Sequence, residues 1–444
     1  MTYQSSYELD IPIISIRKLI DKYPSLQANS IKKPIRSNNQ ITRQRLQLDF
    51  EYEYDFSTTK NQIDITEIII QDHFNISNYK LRRDKLCPRI NNRMEYLLIL
   101  ESCLIEPCCI DKAVQDANYV IDIGTGSSLV YPIIGTKISQ FKNKYIATEI
   151  NETSVNHIGK ILNENIQLQN NVQLVKGNNQ QLIPEISQDK KVKYLVCNPP
   201  FYTNIEELNE KEGLKKTIKP NELTIDDSEL IYDQGGELAF IRKLIDESTV
   251  LINSPNTFPT FENCWFTSQV GIHSHLEELN EYIELRGIPF KFNESIKFNT
   301  TRWIIGWRFG GHQSVMIQKY VSPLNWPSRN VLQNIFSKLH QHLEETKGRF
   351  NDFQFKLITV KHNRNVFYVR TNEYIWLRKI RRLLSNSTMS RSSDLSFDKD
   401  ILIRIFVDKG KDNFDLNILT NEVDHNIHYN SLKSMINQLL VPSS

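Results

Sequence analysis

No stretch of this 444-residue chain approaches the roughly 20 consecutive apolar residues of a membrane-spanning helix. The start, Met1-Thr2-Tyr3-Gln4-Ser5, lacks a basic segment followed by an apolar one, so no secretory leader is expected. Cysteine is scarce: Cys87, Cys103, Cys108, Cys109, Cys197 and Cys264 include no CxxC pair, and no histidine lies near the closely spaced trio. That excludes a disulfide framework and a zinc pattern, so reduced thiols in an intracellular protein are expected and no metal is assigned. His273 and His275, which flank Ser274 in an expected loop, also lack the spacing of a metal site and read as structural. What is present is ordinary for a globular protein, 39% hydrophobic and 24% charged, and long enough for two or three domains. The net charge of +2 is unevenly spread. Thr301 to Arg391 holds 16 Lys and Arg against 4 Asp and Glu, whereas Asn204 to Glu247 holds 6 against 12. A basic C-terminal third points to a polyanion, and phosphates are the usual one.

Residues 1–85 read as an N-terminal extension, with an apolar start, basic positions Arg43 and Arg45, an alternating Leu46–Phe50 and a helix across Ile63–Ile70. Tyr79–Lys85 is a charged connector. Asn92–Leu104 has helical spacing. From residue 118 a βαβ rhythm begins. Strands are expected at Tyr119–Ile123, Tyr145–Glu149, Val172–Val175 and Tyr194–Cys197, with helices from Leu129 and across Ser154–Gln167. A helix at Glu237–Leu251, a strand at Cys264–Thr267, a helix at Leu276–Arg286 and a strand at Thr301–Trp307 complete the layer. Asn204–Gln234 shows no period and is expected to be a loop. The assignment is an α/β fold with a Rossmann-like parallel sheet over 86–310 and a smaller basic α+β domain over 311–444. That last part is expected to hold helices at Arg329–His342, Trp376–Leu384 and Ser431–Leu440. Paired strands are expected at Phe353–Val360 and Asn365–Val369, with another at Ile401–Val407, and Ser385–Ser396 is Ser-rich.

Two motifs carry chemistry. Asp122-Ile-Gly124-Thr125-Gly126 stands where the first strand gives way to a helix, and its glycines let backbone approach a ligand. Leu129 occupies the place of the third glycine of a dinucleotide fingerprint. Glu149, at the end of the second strand, is placed to accept hydrogen bonds from ribose hydroxyls. Together these favour S-adenosylmethionine over a dinucleotide, which brings a pyrophosphate to be cradled. The second motif is Asn198-Pro199-Pro200-Phe201 after the apolar Tyr194–Cys197. An amine conjugated to a heterocycle is a poor nucleophile. The Asn198 side-chain oxygen and the Pro199 carbonyl can each accept one of its N–H groups, turning its lone pair toward the methyl donor. Proline holds φ near −65°, so that carbonyl is preorganised, and Phe201 offers a face for a flipped base. The same tetrad type also serves methylation of protein glutamine amides or guanine N2, and a binding protein with little turnover is a further reading.

The order Arg89-Ile90-Asn91, Ile121–Gly126 followed by Tyr131-Pro132, Ala147-Thr148-Glu149 and Cys197–Phe201 resembles the methyltransferase-like protein 16 family. Its members include U6 small nuclear RNA adenosine-N6 methyltransferases, with bacterial large-subunit rRNA adenine-N6 enzymes as relatives. The similarity continues through Gly235–Phe240 and Thr301-Arg302-Trp303 and covers roughly Lys22 to Phe309. It implies a class I methyltransferase forming N6-methyladenosine in a structured RNA, with U6 small nuclear RNA as substrate. By that resemblance Arg89, Gly124 and Glu149 would bind the cofactor, with a further contact at Gln180 or Gln181, and Asn198 to Phe201 would hold the adenine. Asp122, Thr125, Gly126 and Asn198 complete the cofactor-binding candidates. One departure stands out: the loop after the tetrad is acidic here, where the family's is Arg- and Pro-rich. RNA-docking candidates are Arg43, Arg45, Lys80, Arg82, Arg83, Lys361, Arg364, Arg370, Arg378, Lys379, Arg381 and Arg382, with Phe367, Tyr368 and Trp376 among the last group. A monomer is expected. The Leu377–Arg382 run suits a nuclear signal as well as RNA contact.

Overall fold

The computed structural model describes residues 14–34, 50–101, 118–178, 180–214, 229–297, 301–309, 331–349, 352–359, 366–373, 401–408 and 413–419, with shorter pieces at 3–4, 10, 12, 431 and 434–435. Its strands are β1 Tyr3–Gln4, β2 Ser30–Pro34, β3 Phe50–Tyr54, β4 Tyr119–Ile123, β5 Lys144–Glu149, β6 Val172–Lys176, β7 Val192–Cys197, β8 Trp265–Val270, β9 Phe290–Lys297, β10 Thr301–Arg308, β11 Phe355–Thr359, β12 Val366–Thr371, β13 Ile401–Asp408 and β14 Asn413–Leu419. Seven of them form a mixed sheet in the order β6-β5-β4-β7-β8-β10-β9. The first five run parallel, and β10 and β9 close the edge antiparallel. This is the Rossmann-like α/β sheet expected from the sequence.

Helices cover both faces, which explains why β7 and β8 are buried along their whole length, polar Lys193, Thr267, Ser268 and Gln269 included. On one face Thr59–Phe74, Ile90–Ile99, Val130–Ile138 and Glu152–Glu164 pack into one apolar cluster. On the other, Gly236–Asn253 and His273–Leu285 pack against Phe266 and Trp307. One polar network is buried with the sheet. Lys193 on β7 donates to Glu101 and Asn143, and Tyr194 donates to Glu101, at 3.0, 3.1 and 2.6 Å.

The sheet order reverses between β4 and β7. Ligands bind at the carboxyl ends of strands at such a switch point. Ile123 pairs with Cys197, so the glycine turn and Asn198 leave the sheet side by side.

Elsewhere the structure adds to the sequence reading and corrects it. Asn204–Gln234 contains a helix, Ile205–Leu214, begun by Asn204, whose side chain accepts from the Glu207 amide at 2.9 Å. Residues 215–228 lie outside the described residues. His273 and His275 sit in the first turn of a helix and not in a loop. β9 was not expected. It pairs with β10 along its full length and buries Phe292 and Ile296. β11 and β12 pair as expected, and β13 and β14 extend their sheet. β1 joins that sheet parallel to β11, with Tyr3 opposite Ile358. The helix and Ser-rich segment expected between 376 and 396 lie outside the described residues.

Candidate active site

The glycine turn is held from below by β5. Thr148 Oγ1 accepts the Gly124 amide at 3.2 Å and the Thr148 carbonyl accepts the Thr125 amide at 2.8 Å. Gly124 and Gly126 both take positive φ, +66° and +63°, and a Cβ on Gly124 would meet nothing within 4 Å, so the turn opens onto free space. Leu129, in the place of the absent third glycine, also adopts a left-handed φ of 51° while fully buried. For a leucine this costs on the order of 1 kcal/mol, offset by its burial.

Around the turn stand carboxylates and unanswered polar atoms. Glu149 is buried. Its Oε1 accepts the Asn151 amide at 2.8 Å, and the Gly126 amide also points to its carboxylate. Burial pushes its pKa up, against those amides. Asp122 is fully buried, and neither of its carboxylate oxygens has a hydrogen-bond partner among the described residues. Burial lifts its pKa to about 7, although Thr125 and Arg93 lie close enough to favour its charge. Thr125 Oγ1 is likewise buried outside hydrogen-bonding geometry. Gln181 lies in the turn after β6, its amide bonded to Asn178 Oδ1 at 2.8 Å, on the same edge of the sheet. Two glycines open to a ligand, orphaned Asp122 and Thr125 oxygens and a carboxylate at the end of β5 fit the amino-acid and ribose parts of S-adenosylmethionine.

Beside the turn, Asn198 is held by a residue that sequence reasoning missed. Arg93 Nη1 donates to Asn198 Oδ1 at 2.7 Å, Gln269 Oε1 at 2.8 Å and Tyr131 Oη at 3.1 Å. Its guanidinium also lies 5.5 Å from the Tyr131 ring centre. Arg93 belongs to helix Ile90–Ile99, one turn beyond the expected Arg89. Arg89 itself is exposed at the N-cap of that helix. The signal for Arg93 was present as an i, i+4 repeat of Arg89. The amide oxygen of Asn198 keeps a second lone pair for a substrate N–H.

Phe201 is fixed from behind. A Cβ on Gly271 would come within 3.1 Å of its Cδ1, so any larger residue would push the Phe201 ring from its place. The Arg302 guanidinium lies 5.6 Å from its ring centre. Desolvation lowers the Arg302 pKa, and nearby Glu237 opposes the shift. Buried Glu237 accepts the Gly271 amide at 2.6 Å and pairs with His275 Nδ1 at 2.9 Å, tying helix Gly236–Asn253 to the turn behind Phe201. The main chain of Tyr202 pairs with Leu230 and Tyr232, at 2.9 and 2.8 Å.

The chain was also compared with known proteins. The profile of an RNA methyltransferase family matches residues 19–311, two thirds of the chain. The chain belongs to this RNA methyltransferase family. Similar proteins include the ribosomal RNA large subunit methyltransferase F of Flavobacterium johnsoniae, 26% identical over 269 residues, which are 57% of this chain and 81% of that protein. The namesake from Shewanella amazonensis is 30% identical over 54% of this chain and 76% of its own. The mouse RNA N(6)-adenosine-methyltransferase METTL16 is 26% identical over 55% of this chain, but only 42% of that protein is covered. Among solved structures, the hMettl16 catalytic domain in complex with MAT2A 3′UTR hairpin 6 superposes with a TM-score of 0.51 at 22% identity, covering 67% of this chain and 94% of that one, a likeness of fold. Membership makes the chain an enzyme and S-adenosylmethionine its methyl donor.

The RNA-docking candidates are placed in part. Lys80 donates to Glu67 at 2.6 Å and Arg82 forks onto Asp84, so neighbouring carboxylates offset both charges, while Arg83 is exposed. Arg370 lies in β12. Arg43, Arg45, Lys361, Arg364, Arg378, Lys379, Arg381 and Arg382 lie outside the described residues. No group of three His, Cys, Asp or Glu suited to a metal occurs among the described residues.

Proposed function

We propose that this RNA methyltransferase forms N6-methyladenosine in a structured RNA, with U6 small nuclear RNA the first substrate to test and the nucleus its compartment. The observation that carries the reading is the adjacency of the glycine turn and Asn198–Phe201 at the switch point between β4 and β7. The cofactor supplies an electrophilic methyl group. The protein's part is to hold an amine in line with it and to keep that amine's lone pair available. Arg93 fixes the Asn198 amide and leaves its oxygen a lone pair for one N–H. The rigid Pro199-Pro200 corner presents a carbonyl to the other. Phe201, backed by Gly271 and Arg302, gives the base a stacking face. The similarity to METTL16 and to the large-subunit rRNA enzymes supports RNA as the bearer of that base.

The test is a single-turnover reaction with methyl-labelled cofactor on total RNA and on U6 RNA, followed by nucleoside analysis. Label in N6-methyladenosine is expected. Label as N2-methylguanosine, label in protein, or tight RNA binding without label would each overturn the assignment. Asn198→Ala should abolish transfer while RNA affinity stays nearly intact. Loss of both would show that its role lies in binding.

A further inference from the structure

Glu229 opens the described segment that follows the tetrad's helix, and it ends up at the glycine turn. The Ser127 amide lies close enough to favour its charged carboxylate, and its Oε1 would lie 3.9 Å from a Cβ on Gly126. That Oε1 is buried and, among the described residues, meets the Lys85 Nζ 3.5 Å away as an ion pair without a hydrogen bond of good geometry. The placement is enforced. Tyr202, directly after Phe201, bonds through its main chain to Leu230 and Tyr232, and Tyr202, Leu208 and Leu230 pack as a small apolar cluster. Glu229 is thereby delivered to the cofactor turn by the same segment that frames the target pocket.

The charge there is unbalanced. Lys85, with its side chain fully buried, attracts both Glu149 and Glu229, and the two carboxylates repel each other. The Lys85–Glu229 pair thus lies in the same field as Glu149, beside the Asp122 and Thr125 oxygens that have no hydrogen-bond partner among the described residues. A buried excess of negative charge is costly until a cation joins it. Glu149 stands at the end of β5 with its carboxylate engaged by turn amides, whereas Glu229 Oε1 faces the turn itself with the Lys85 ammonium 3.5 Å away. From this geometry we infer that Glu229 is a cofactor-binding residue that receives the α-ammonium of the methionine moiety. The inference rests on S-adenosylmethionine being the ligand of this site.

Calorimetric titration of the full chain with S-adenosylhomocysteine and with its analogue lacking the α-amino group tests it. Wild type should bind the desamino compound on the order of ten- to a hundredfold more weakly, the loss of one charge-assisted contact. Glu229→Gln should weaken S-adenosylhomocysteine by a similar factor and leave the desamino compound unchanged. Equal affinity of wild type for the two ligands would overturn the inference with no variant needed. So would a Glu229→Gln variant, folded by its melting curve, that binds S-adenosylhomocysteine as wild type does or loses both ligands alike. Wild type that binds neither ligand would overturn the cofactor assignment together with this inference, whereas the other failures leave that assignment standing.

Discussion

Arg93→Met should remove most of the methyl transfer without removing RNA binding. One nitrogen of Arg93 reaches three oxygens, on Asn198, Gln269 and Tyr131, and it carries only two hydrogens, so one of them is shared. The shortest contact, 2.7 Å, goes to Asn198 and is charge-assisted. Hydrogen bonds to a charged group contribute about 1.5–3 kcal/mol, and every 1.4 kcal/mol is tenfold in rate, so losing the Asn198 contact alone should slow transfer roughly ten- to 150-fold. Methionine matches the length and keeps the apolar packing, but it strands the Gln269 amide, whose Nε2 already lacks a partner. A stability loss of about 1–3 kcal/mol accompanies that. Arg93→Lys restores the charge as a point but cannot reproduce the planar fork, so it should recover only part of the rate. The assay is the single-turnover rate at saturating cofactor, read beside RNA affinity and a melting curve. A folded Arg93→Met protein within twofold of the wild-type rate would refute the idea that Arg93 sets the Asn198 amide.

Other changes report on other parts of the structure. Gly271→Ala places a Cβ 2.9 Å from Glu237 Oε2 and 3.1 Å from the Phe201 ring, so it should lower transfer more than fold stability. An unaltered single-turnover rate would show that Phe201 does not need this backing. Lys193→Met leaves Glu101 buried without its ion-pair partner and should destabilise by about 3–5 kcal/mol in denaturant unfolding. The double change with Glu101→Gln should recover part of that loss, and equal losses for single and double variants would contradict the ion-pair account. Asp122 sets a pH dependence. Its folded pKa of about 7 stands above its ordinary 3.8, so the unfolded chain ionises first as pH rises. Stability should therefore fall from about pH 4 to about pH 7, by up to ~4 kcal/mol, and then level off. Melting curves of wild type and Asp122→Asn across that window check the sign, and the variant should lack the fall.

The parts of the site legible in the sequence are those in which one short segment carries its own geometry. Gly124-Thr-Gly126 and Asn198–Phe201 each follow a β-branched or apolar run, so both strand ends and the turn chemistry can be read locally. Arg93 could not be separated from Arg89, because two arginines four apart on a helix share a face and only packing decides which one meets the sheet. Gln269 sits in a strand buried throughout, Trp265–Val270, where a polar side chain needs an interior partner, but nothing along the chain names that partner. β9 was missed because Phe-Lys-Phe-Asn-Glu-Ser-Ile-Lys is polar enough to pass for a loop. It is a strand because an edge position beside β10 requires only one buried face.

The acidic stretch Asn204–Glu247 shows why charge counted along a chain differs from charge met by a ligand. Its balance of 6 basic to 12 acidic residues makes the region after the tetrad look hostile to RNA. Several of those acids face inward. Glu207 accepts the Thr203 amide at 2.8 Å, Glu229 lies on the glycine turn, and Glu237 holds the Gly271 amide and His275. Glu247 accepts the Leu182 and Ile183 amides, each at 2.9 Å through Oε2, while Asp246 stays at the surface and pairs there with Arg286 at 2.8 Å. A carboxylate that accepts backbone amides is fixed in place and serves the fold, whereas one exposed to solvent is screened beyond a Debye length of about 8 Å. Within this stretch Glu229 sits at the cofactor turn and Glu237 behind the Phe201 platform, so those two acids belong to the site's own framework.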